Sequence, residues 1–156
     1  MTGQMDKFLP RPTPESAPFW QGCRDHKLLL QYCTACGTHQ FYPRVICANC
    51  MSEQLEWREA SGRGTVETYT VVTRAVSDAY AADVPYVIAL ITLEEGPRMM
   101  SNVIGCDVES VKCGLAVEVV FERWSAEALV IDAWFSIQAS SSRPGAIARV
   151  EALMQH

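Results

Sequence analysis

Two short motifs, Cys33-Thr34-Ala35-Cys36 and Cys47-Ala48-Asn49-Cys50, determine how the N-terminal part of this chain folds. Each motif is a Cys-x-x-Cys knuckle, and ten residues separate Cys36 from Cys47. The short turn inside a knuckle brings two thiolates within reach of one cation, so two knuckles supply four ligands for a tetrahedral site. The spacing therefore predicts a small ribbon in which Cys33, Cys36, Cys47 and Cys50 hold one structural metal ion.

Zinc is the expected ion, because four thiolates complete its coordination sphere and leave no position for a water molecule. The site is therefore expected to be structural and not hydrolytic. An all-thiolate tetrahedron also accepts iron, so the spacing alone leaves iron open. His39 lies between the knuckles, but four cysteines already suffice. Gly37 and Met51 follow the two knuckles, where a left-handed backbone is expected.

The composition indicates a globular protein and limits its classes of partner. Of the 156 residues, 49% are hydrophobic and 20% are charged, as in an ordinary protein with a packed core. The 18 acidic residues outnumber the 13 basic ones and give a net charge of -5. General electrostatic attraction to nucleic acid is therefore not expected.

The cysteine count and the apolar segments indicate a reducing compartment. Seven cysteines, an odd number, with no apolar leader before them favour the cytoplasm over export. The longest nearly unbroken apolar stretch, 84–93, has ten residues, which is too short to span a membrane. We expect the cysteines outside the knuckles, Cys23, Cys106 and Cys113, to be buried as small apolar side chains.

A short helix is predicted ahead of the ribbon, over residues 16–26. Ser16 is a good N-cap, and Pro18 falls in the first turn, where its missing N–H needs no partner. Phe19, Trp20 and Cys23 share one side of this helix. That apolar stripe either packs in the core or docks a partner protein, which makes Phe19 and Trp20 candidate docking residues.

After Gly62-Arg63-Gly64 the sequence becomes rich in β-branched and aromatic residues. Five strands are predicted, at residues 65–74, 86–94, 98–104, 117–123 and 129–137. Glu95-Gly96-Pro97 predicts a tight hairpin, and residues 107–112 predict a single helical turn. Five short strands with a longer connection after the third favour a small Greek-key barrel of the OB type.

The predicted fold is thus mainly β with a short N-terminal helix, in which a rubredoxin-like zinc ribbon precedes a five-stranded OB-fold barrel. We divide the chain into an extended and helical segment (1–27), the ribbon (28–55), the barrel (56–137) and a linker with a C-terminal tail (138–156). In the tail, residues 146–155 have the apolar spacing of a short helix.

No catalytic site is predicted, because none of the three histidines is placed as an obvious base for a nucleophile. Four arginines, Arg44, Arg63, Arg74 and Arg98, have two interpretations. They are either scattered surface charges or, if the ribbon packs on the barrel, a cluster that binds a nucleotide diphosphate or a single strand of nucleic acid.

Several further motifs resemble one family. They are Ser16-Ala17-Pro18-Phe19-Trp20, Leu28-Leu29-Leu30-Gln31-Tyr32-Cys33, Tyr42-Pro43-Arg44, Ser61-Gly62-Arg63-Gly64-Thr65, Val84-Pro85-Tyr86, and Glu94 to Arg98 followed by Ser101-Asn102. With the knuckles, they resemble the acyl-CoA-associated family that joins a rubredoxin-like zinc ribbon to an OB-fold, known as domain of unknown function thirty-five. The resemblance spans about residues 10–136. The last predicted strand lacks the family's Leu-Pro motif, and the residues from Gln138 onward are unmatched.

The resemblance implies a non-catalytic accessory subunit in acyl-CoA metabolism. Such a subunit binds a thiolase-like acyltransferase or aldolase, or a hydratase, which carries the catalytic residues, and helps to bind the CoA thioester. In this interpretation Arg44, Arg63, Arg74 and Arg98 are candidate contacts for CoA phosphates. Two alternatives remain: a module that binds single-stranded nucleic acid, as OB barrels and zinc ribbons both do, and an independent enzyme acting on thioesters.

Overall fold

A three-stranded sheet lies beside a five-stranded barrel in the computed structural model, which describes residues 11–123 and 131–137. In these residues one helix, α1 (Ala17–Arg24), precedes the strands. The strands are β1 (Leu29–Cys33), β2 (Thr38–Gln40), β3 (Leu55–Glu59), β4 (Arg63–Val72), β5 (Tyr86–Leu93), β6 (Arg98–Ile104), β7 (Ala116–Arg123) and β8 (Ile131–Ile137). The architecture confirms the predicted fold class. The predicted tail helix, 146–155, lies outside the described residues.

The start of helix α1 differs from the prediction in its hydrogen bonding. Ser16 occupies the N-cap position, as predicted, but its backbone is helical, with φ -96° and ψ -10°, and its side chain makes no capping hydrogen bond. Its Oγ instead accepts the N–H of Thr13 at 2.9 Å, and the Thr13 carbonyl accepts the N–H of Ala17 at 2.8 Å. The chain thus turns three residues earlier than expected, at Thr13-Pro14, and the expected cap residue belongs to that turn.

The other end of α1 closes with a left-handed residue. His26 has a φ of 56°, its N–H donates to the Cys23 carbonyl at 3.1 Å, and the Lys27 N–H donates to the Gly22 carbonyl at 2.8 Å. This pair of bonds is a Schellman motif, in which glycine usually occupies the left-handed position. The His26 ring stacks on Phe121 of β7, with centroids 5.7 Å apart, so the helix end is tied to the barrel.

The ribbon is an antiparallel sheet in the order β2-β1-β3. The pairing of β1 with β2 sets Tyr32 opposite His39, and its pairing with β3 sets Tyr32 opposite Glu56. The strand β3 lies between the second knuckle and Gly62, where the sequence analysis predicts no strand. Its alternation of Leu55 and Trp57 with charged residues is nevertheless a strand pattern.

The barrel closes in the order β4-β5-β6-β8-β7, with β7 returning to β4. All these pairings are antiparallel except that of β6 with β8, which is parallel. Burial alternates strictly along strand β5. Every second residue, namely Val87, Ala89, Ile91 and Leu93, points into the barrel and is buried. The predicted hairpin at Glu95-Gly96-Pro97 joins β5 to β6, and a 3₁₀ turn at Val108–Ser110 confirms the predicted helical turn.

One continuous core joins the helix, the ribbon and the barrel. Phe19, Cys23, Leu28 and Leu30 belong to the same buried cluster as the inward residues of the barrel strands. Because apolar burial stabilises by about 25 cal/mol per Å², this shared core holds the two modules together as one unit.

Candidate metal centre

The structure brings the four knuckle cysteines together. Their Sγ atoms all lie within 4.8 Å of one another, and the pairs Cys33–Cys50 and Cys36–Cys47 are each 3.6 Å apart. A zinc–sulfur bond of about 2.3 Å sets the edge of a regular tetrahedron at about 3.8 Å, so the thiols are spaced as tetrahedral ligands. The donor set and its spacing therefore fit a structural metal ion.

Both knuckles close with the same backbone geometry. The Gly37 N–H donates to the Cys33 carbonyl at 2.8 Å, and the Met51 N–H donates to the Cys47 carbonyl at 3.0 Å. Gly37 has a φ of 72° and Met51 has a φ of 61°. The left-handed residue predicted after each knuckle is thus present, and in the second knuckle a methionine adopts it with its side chain exposed.

Neighbouring donors prepare two of the thiols for metal binding. The Thr38 side chain, 3.1 Å from Cys36 Sγ, and the Asn49 side chain lower the pKa of Cys36 to about 6. Backbone N–H groups of Cys50 and then Asn49 lower the pKa of Cys47. The Ser52 N–H acts in the same direction on Cys50, but the nearby Cys36 thiol, burial and the other thiols outweigh it and raise that pKa to about 12.

Because its neighbours raise its pKa to about 12, Cys50 stays protonated at neutral pH unless a cation lies among the thiols. When bound, the ion supplies the positive charge that holds them as thiolates. Four sulfur ligands leave no open coordination position, so the centre is suited to holding the ribbon together and not to activating water.

The three remaining cysteines have different environments. Cys23 is buried in the core as predicted, and Cys106 is half-buried against it. The prediction that Cys113 is buried was wrong, because Cys113 is exposed in the turn that leads into β7.

Two buried glutamines fix the loop between the knuckles, and the sequence analysis missed them. The Gln40 amide donates to Gln31 Oε1 at 2.8 Å, and the Gln31 amide donates to the Arg44 carbonyl at 2.9 Å. The N–H groups of Arg44 and Ala48 donate to the Gln31 and Gln40 side-chain oxygens, each at 2.8 Å. The backbone of the loop is therefore held on both sides by buried side-chain amides.

This loop exposes apolar side chains beside a shallow groove. Tyr42 is 52% exposed and Val45 is 67% exposed, whereas Pro43 between them is buried. The groove has a volume of about 390 Å³. Its lining mixes apolar and charged residues, namely Pro14, Glu15, Pro18, Gln31, Arg44, Val45, Glu53, Leu55 and Trp57.

The four arginines lie in different parts of the molecule. Arg44 lines the ribbon groove, and Arg74 follows the end of β4 that is opposite Arg63. Arg63 pairs with Glu94, with a nitrogen–oxygen distance of 3.0 Å, and Arg98 pairs with Glu67 at 3.1 Å. The structure thus gives Arg63 and Arg98 carboxylate partners within the barrel.

The two candidate docking aromatics differ in exposure. Phe19 is only 3% exposed and packs edge-on against Trp20 and at a tilt against Phe41, so its side chain serves the core. Trp20 is half-buried. A docking role therefore stays a prediction for Trp20 and is not available to the Phe19 ring, because that ring is covered.

No helix among residues 11–123 and 131–137 has the length and apolar character needed to cross a membrane.

Comparison with known proteins identifies both modules. A family profile described as the ChsH2 rubredoxin-like zinc ribbon domain matches residues 20–56, and one described as the ChsH2 C-terminal OB-fold domain matches residues 57–122. A third profile, of a domain of unknown function with ARM repeats, matches residues 104–156. The regular elements described within that range are mainly β-strands, so this match carries no argument.

Two curated relatives differ in how much of their length the chain covers. A DUF35 domain-containing scaffold protein of Methanocaldococcus jannaschii is 40% identical over 67% of this chain and 74% of the relative. A probable enoyl-CoA hydratase alpha subunit of Thermomonospora curvata is 33% identical over 74% of this chain, but over only 37% of the relative.

The fold also matches a chain of a solved structure described as the Ltp2-ChsH2(DUF35) aldolase. It matches with a TM-score of 0.73 and 27% identity, over 83% of this chain and 98% of that chain. The ribbon, the barrel and the identity to the archaeal scaffold protein together show that this chain belongs to the DUF35 family.

Proposed function

We propose that this chain is a non-catalytic accessory subunit that binds a thiolase-like acyltransferase or aldolase, or a hydratase, and helps to bind its CoA thioester substrate. The observation that carries the proposal is the match of both modules, in sequence and in three dimensions, to proteins named as scaffolds or as components of an aldolase or a hydratase. The closed thiolate centre agrees with it, because such a site supports a fold and does not process a substrate.

The metal in this proposal is zinc. Four thiolates at tetrahedral spacing suit zinc, and the ion supplies folding free energy that the small sheet does not obtain from its own apolar burial. None of the seven cysteines, all of which lie in the described residues, forms a disulfide, which agrees with a protein that works in the reducing cytoplasm.

We also propose Arg44, Arg63, Arg74 and Arg98 as contacts for CoA phosphates. They differ in whether a carboxylate of the barrel competes with the phosphate. A phosphate that binds Arg63 must compete with Glu94, and one that binds Arg98 must compete with Glu67. Arg44 is exposed and lines the ribbon groove, which Glu15 and Glu53 also line.

Affinity purification of the tagged full-length chain from its native cells tests the assignment. We expect a thiolase-like enzyme or a hydratase to co-purify in a fixed molar ratio, identified by mass spectrometry. Purification of the chain without any such enzyme would contradict the proposal. Tight binding of single-stranded DNA that weakens steeply with salt would favour the nucleic-acid alternative instead.

A further inference from the structure

The strand register places an apolar surface on the outside of the barrel. On β5 the residues between the buried ones point outward, and cross-strand partners share a face of the sheet. Leu90 is paired with Thr68 of β4 and Met100 of β6. The next row pairs Ile88 with Thr70 and Asn102, and the row beyond it pairs Tyr86 with Val72. We call these residues the outer face: Thr68, Thr70, Val72, Tyr86, Ile88, Leu90, Met100 and Asn102.

This composition is unusual for a solvated surface. The outward side of an antiparallel sheet is normally polar when nothing covers it. Here Met100 is 71% exposed on the β6 side of the face, beside Leu90. Ile88 and Leu90 are half-buried and do not belong to the buried core cluster. Apolar side chains that stay partly exposed next to one another in this way are typical of an interaction site.

The charges at one end of the face neutralise each other. A register shift between Val66 and Thr68 lies at Glu67, whose carboxylate accepts the Thr92 hydroxyl at 2.9 Å and pairs with Arg98 at 3.1 Å. Thr92 and Arg98 form the row next to Leu90 and Met100. This edge of the outer face is therefore electrically neutral, because the Arg98 guanidinium is paired with the Glu67 carboxylate.

We propose that the outer face is the surface on which the partner enzyme docks, through a neutral, apolar patch of that enzyme. This inference rests on the proposed function. Methionine is enriched in protein interfaces, and its flexible side chain adapts to a partner surface. A neutral face with a paired arginine gives no attraction to the phosphates of a nucleic acid.

One other occupant of the outer face, and one other docking surface, fit the charges less well. A second copy of this chain would bring together two molecules that each carry a net charge of -5, which opposes self-association. The ribbon loop with Tyr42 and Val45 also exposes apolar side chains, but Arg44 and the nearby Glu15 and Glu53 interrupt it with charge.

Photocrosslinking identifies the occupant directly. A photoreactive amino acid, p-benzoylphenylalanine, replaces Met100 in the full-length chain, and the purified complex is irradiated. A matched variant carries the same group at Val45, which is similarly exposed at 67% against 71% for Met100. We expect the position-100 probe to crosslink to the partner enzyme. Crosslinks from position 100 only to a second copy, to residues 138–156 of the same chain, or to nothing would overturn the proposal.

Charge substitution gives a second, independent measurement. Met100→Glu places a carboxylate in the docked apolar surface and should weaken partner binding by about tenfold or more. Val45→Glu adds the same charge elsewhere and should leave binding within about twofold of wild type. Loss of binding in Val45→Glu alone would move the interface to the ribbon. If wild type binds and Met100→Glu binds equally well, the outer face is excluded and the proposed function stands. If the wild-type chain binds no such enzyme, both the docking proposal and the proposed function fail.

Discussion

At the scale of single residues, the metal centre depends on four sulfur atoms that only a cation can hold together in their ionised form. Cys36 lies in a turn where the Thr38 and Asn49 side chains favour its thiolate, whereas Cys50 is forced toward the protonated thiol by its neighbours. Before an ion binds, the thiolate is therefore favoured at Cys36 and disfavoured at Cys50.

Replacing one ligand tests this arrangement. Cys36→Ser should lose the metal and unfold residues 33–50, because three thiolates and a weak hydroxyl ligand do not hold the ribbon. Metal content by elemental analysis and amide exchange across 33–50 measure the two effects. Cys113→Ser, at an exposed cysteine outside the centre, is the control and should keep full metal content. Full stoichiometry in Cys36→Ser would contradict the assignment.

Metal affinity should rise with pH. At neutral pH the Cys50 thiol, with a pKa of about 12, must release its proton on binding, whereas Cys36, with a pKa of about 6, is already mostly ionised. At least one proton therefore leaves per ion, and the apparent Kd for zinc should fall by about tenfold or more per pH unit between about pH 6.5 and 8. Competition titrations with a chromophoric chelator measure this, and an affinity independent of pH would be inconsistent with it.

The buried glutamine pair gives a third residue-level prediction. Gln40→Met keeps the size of the side chain but removes the acceptor of the Ala48 N–H, which costs about 1–3 kcal/mol when the group stays buried. Amide exchange at residues 44 and 48 should accelerate. Gln54→Met, at an exposed position, should leave those amides unchanged. Unaltered exchange in Gln40→Met would show that the amide pair does not fix the loop.

The cysteines could be predicted from the sequence because their spacing along the chain alone defines the knuckle. The glutamines could not, because their partners are backbone groups 8–13 residues away and become visible only when β1, β2 and the loop are placed together.

At the scale of elements, helix α1 is held against the ribbon through a glycine. A Cβ added to Gly22 would lie 2.6 Å from Leu29 Cγ and 2.8 Å from the Lys27 carbonyl oxygen. Only a residue without a side chain therefore allows the helix to meet β1 and the Schellman motif this closely.

Gly22→Ala should accordingly destabilise the protein. Alanine favours a helix over glycine by about 1 kcal/mol, but overpacking against Leu29 and a backbone carbonyl costs about 1–3 kcal/mol, so the clash should prevail. Gln21→Ala, on the exposed side of the same helix, should be neutral or slightly stabilising. Chemical denaturation measures both variants. A more stable Gly22→Ala would refute the close packing.

Most strands were predictable because alternation of apolar and polar residues reports which face is buried, as in β5. The start of α1 at Ser16 was also predictable, but the bonding of the Ser16 hydroxyl was not, because that hydroxyl has two possible partners and the turn at Thr13-Pro14 provides the one that it uses. The strand β3 was missed although Leu55 and Trp57 carried the signal, because charged neighbours made the segment resemble a loop.

At the scale of the whole molecule, the ribbon and the barrel share one core, so the metal stabilises more than the residues that bind it. Phe19 and Leu30 on the ribbon side and Ile91 and Val117 in the barrel belong to the same cluster. The outer face lies outside this cluster, and in our proposal it meets the partner enzyme. It could not be recognised before the register was known, because β4, β5 and β6 contribute to it from segments of sequence that lie far apart.

The rate of acyl-CoA turnover, measured with the chain alone, with its co-purified enzyme alone and with both together, tests the central claim most directly. An accessory subunit predicts no turnover by this chain alone and a large loss of rate or of substrate affinity in the enzyme when the chain is withheld. Turnover by the isolated chain, or an enzyme that is equally active without it, would contradict the account.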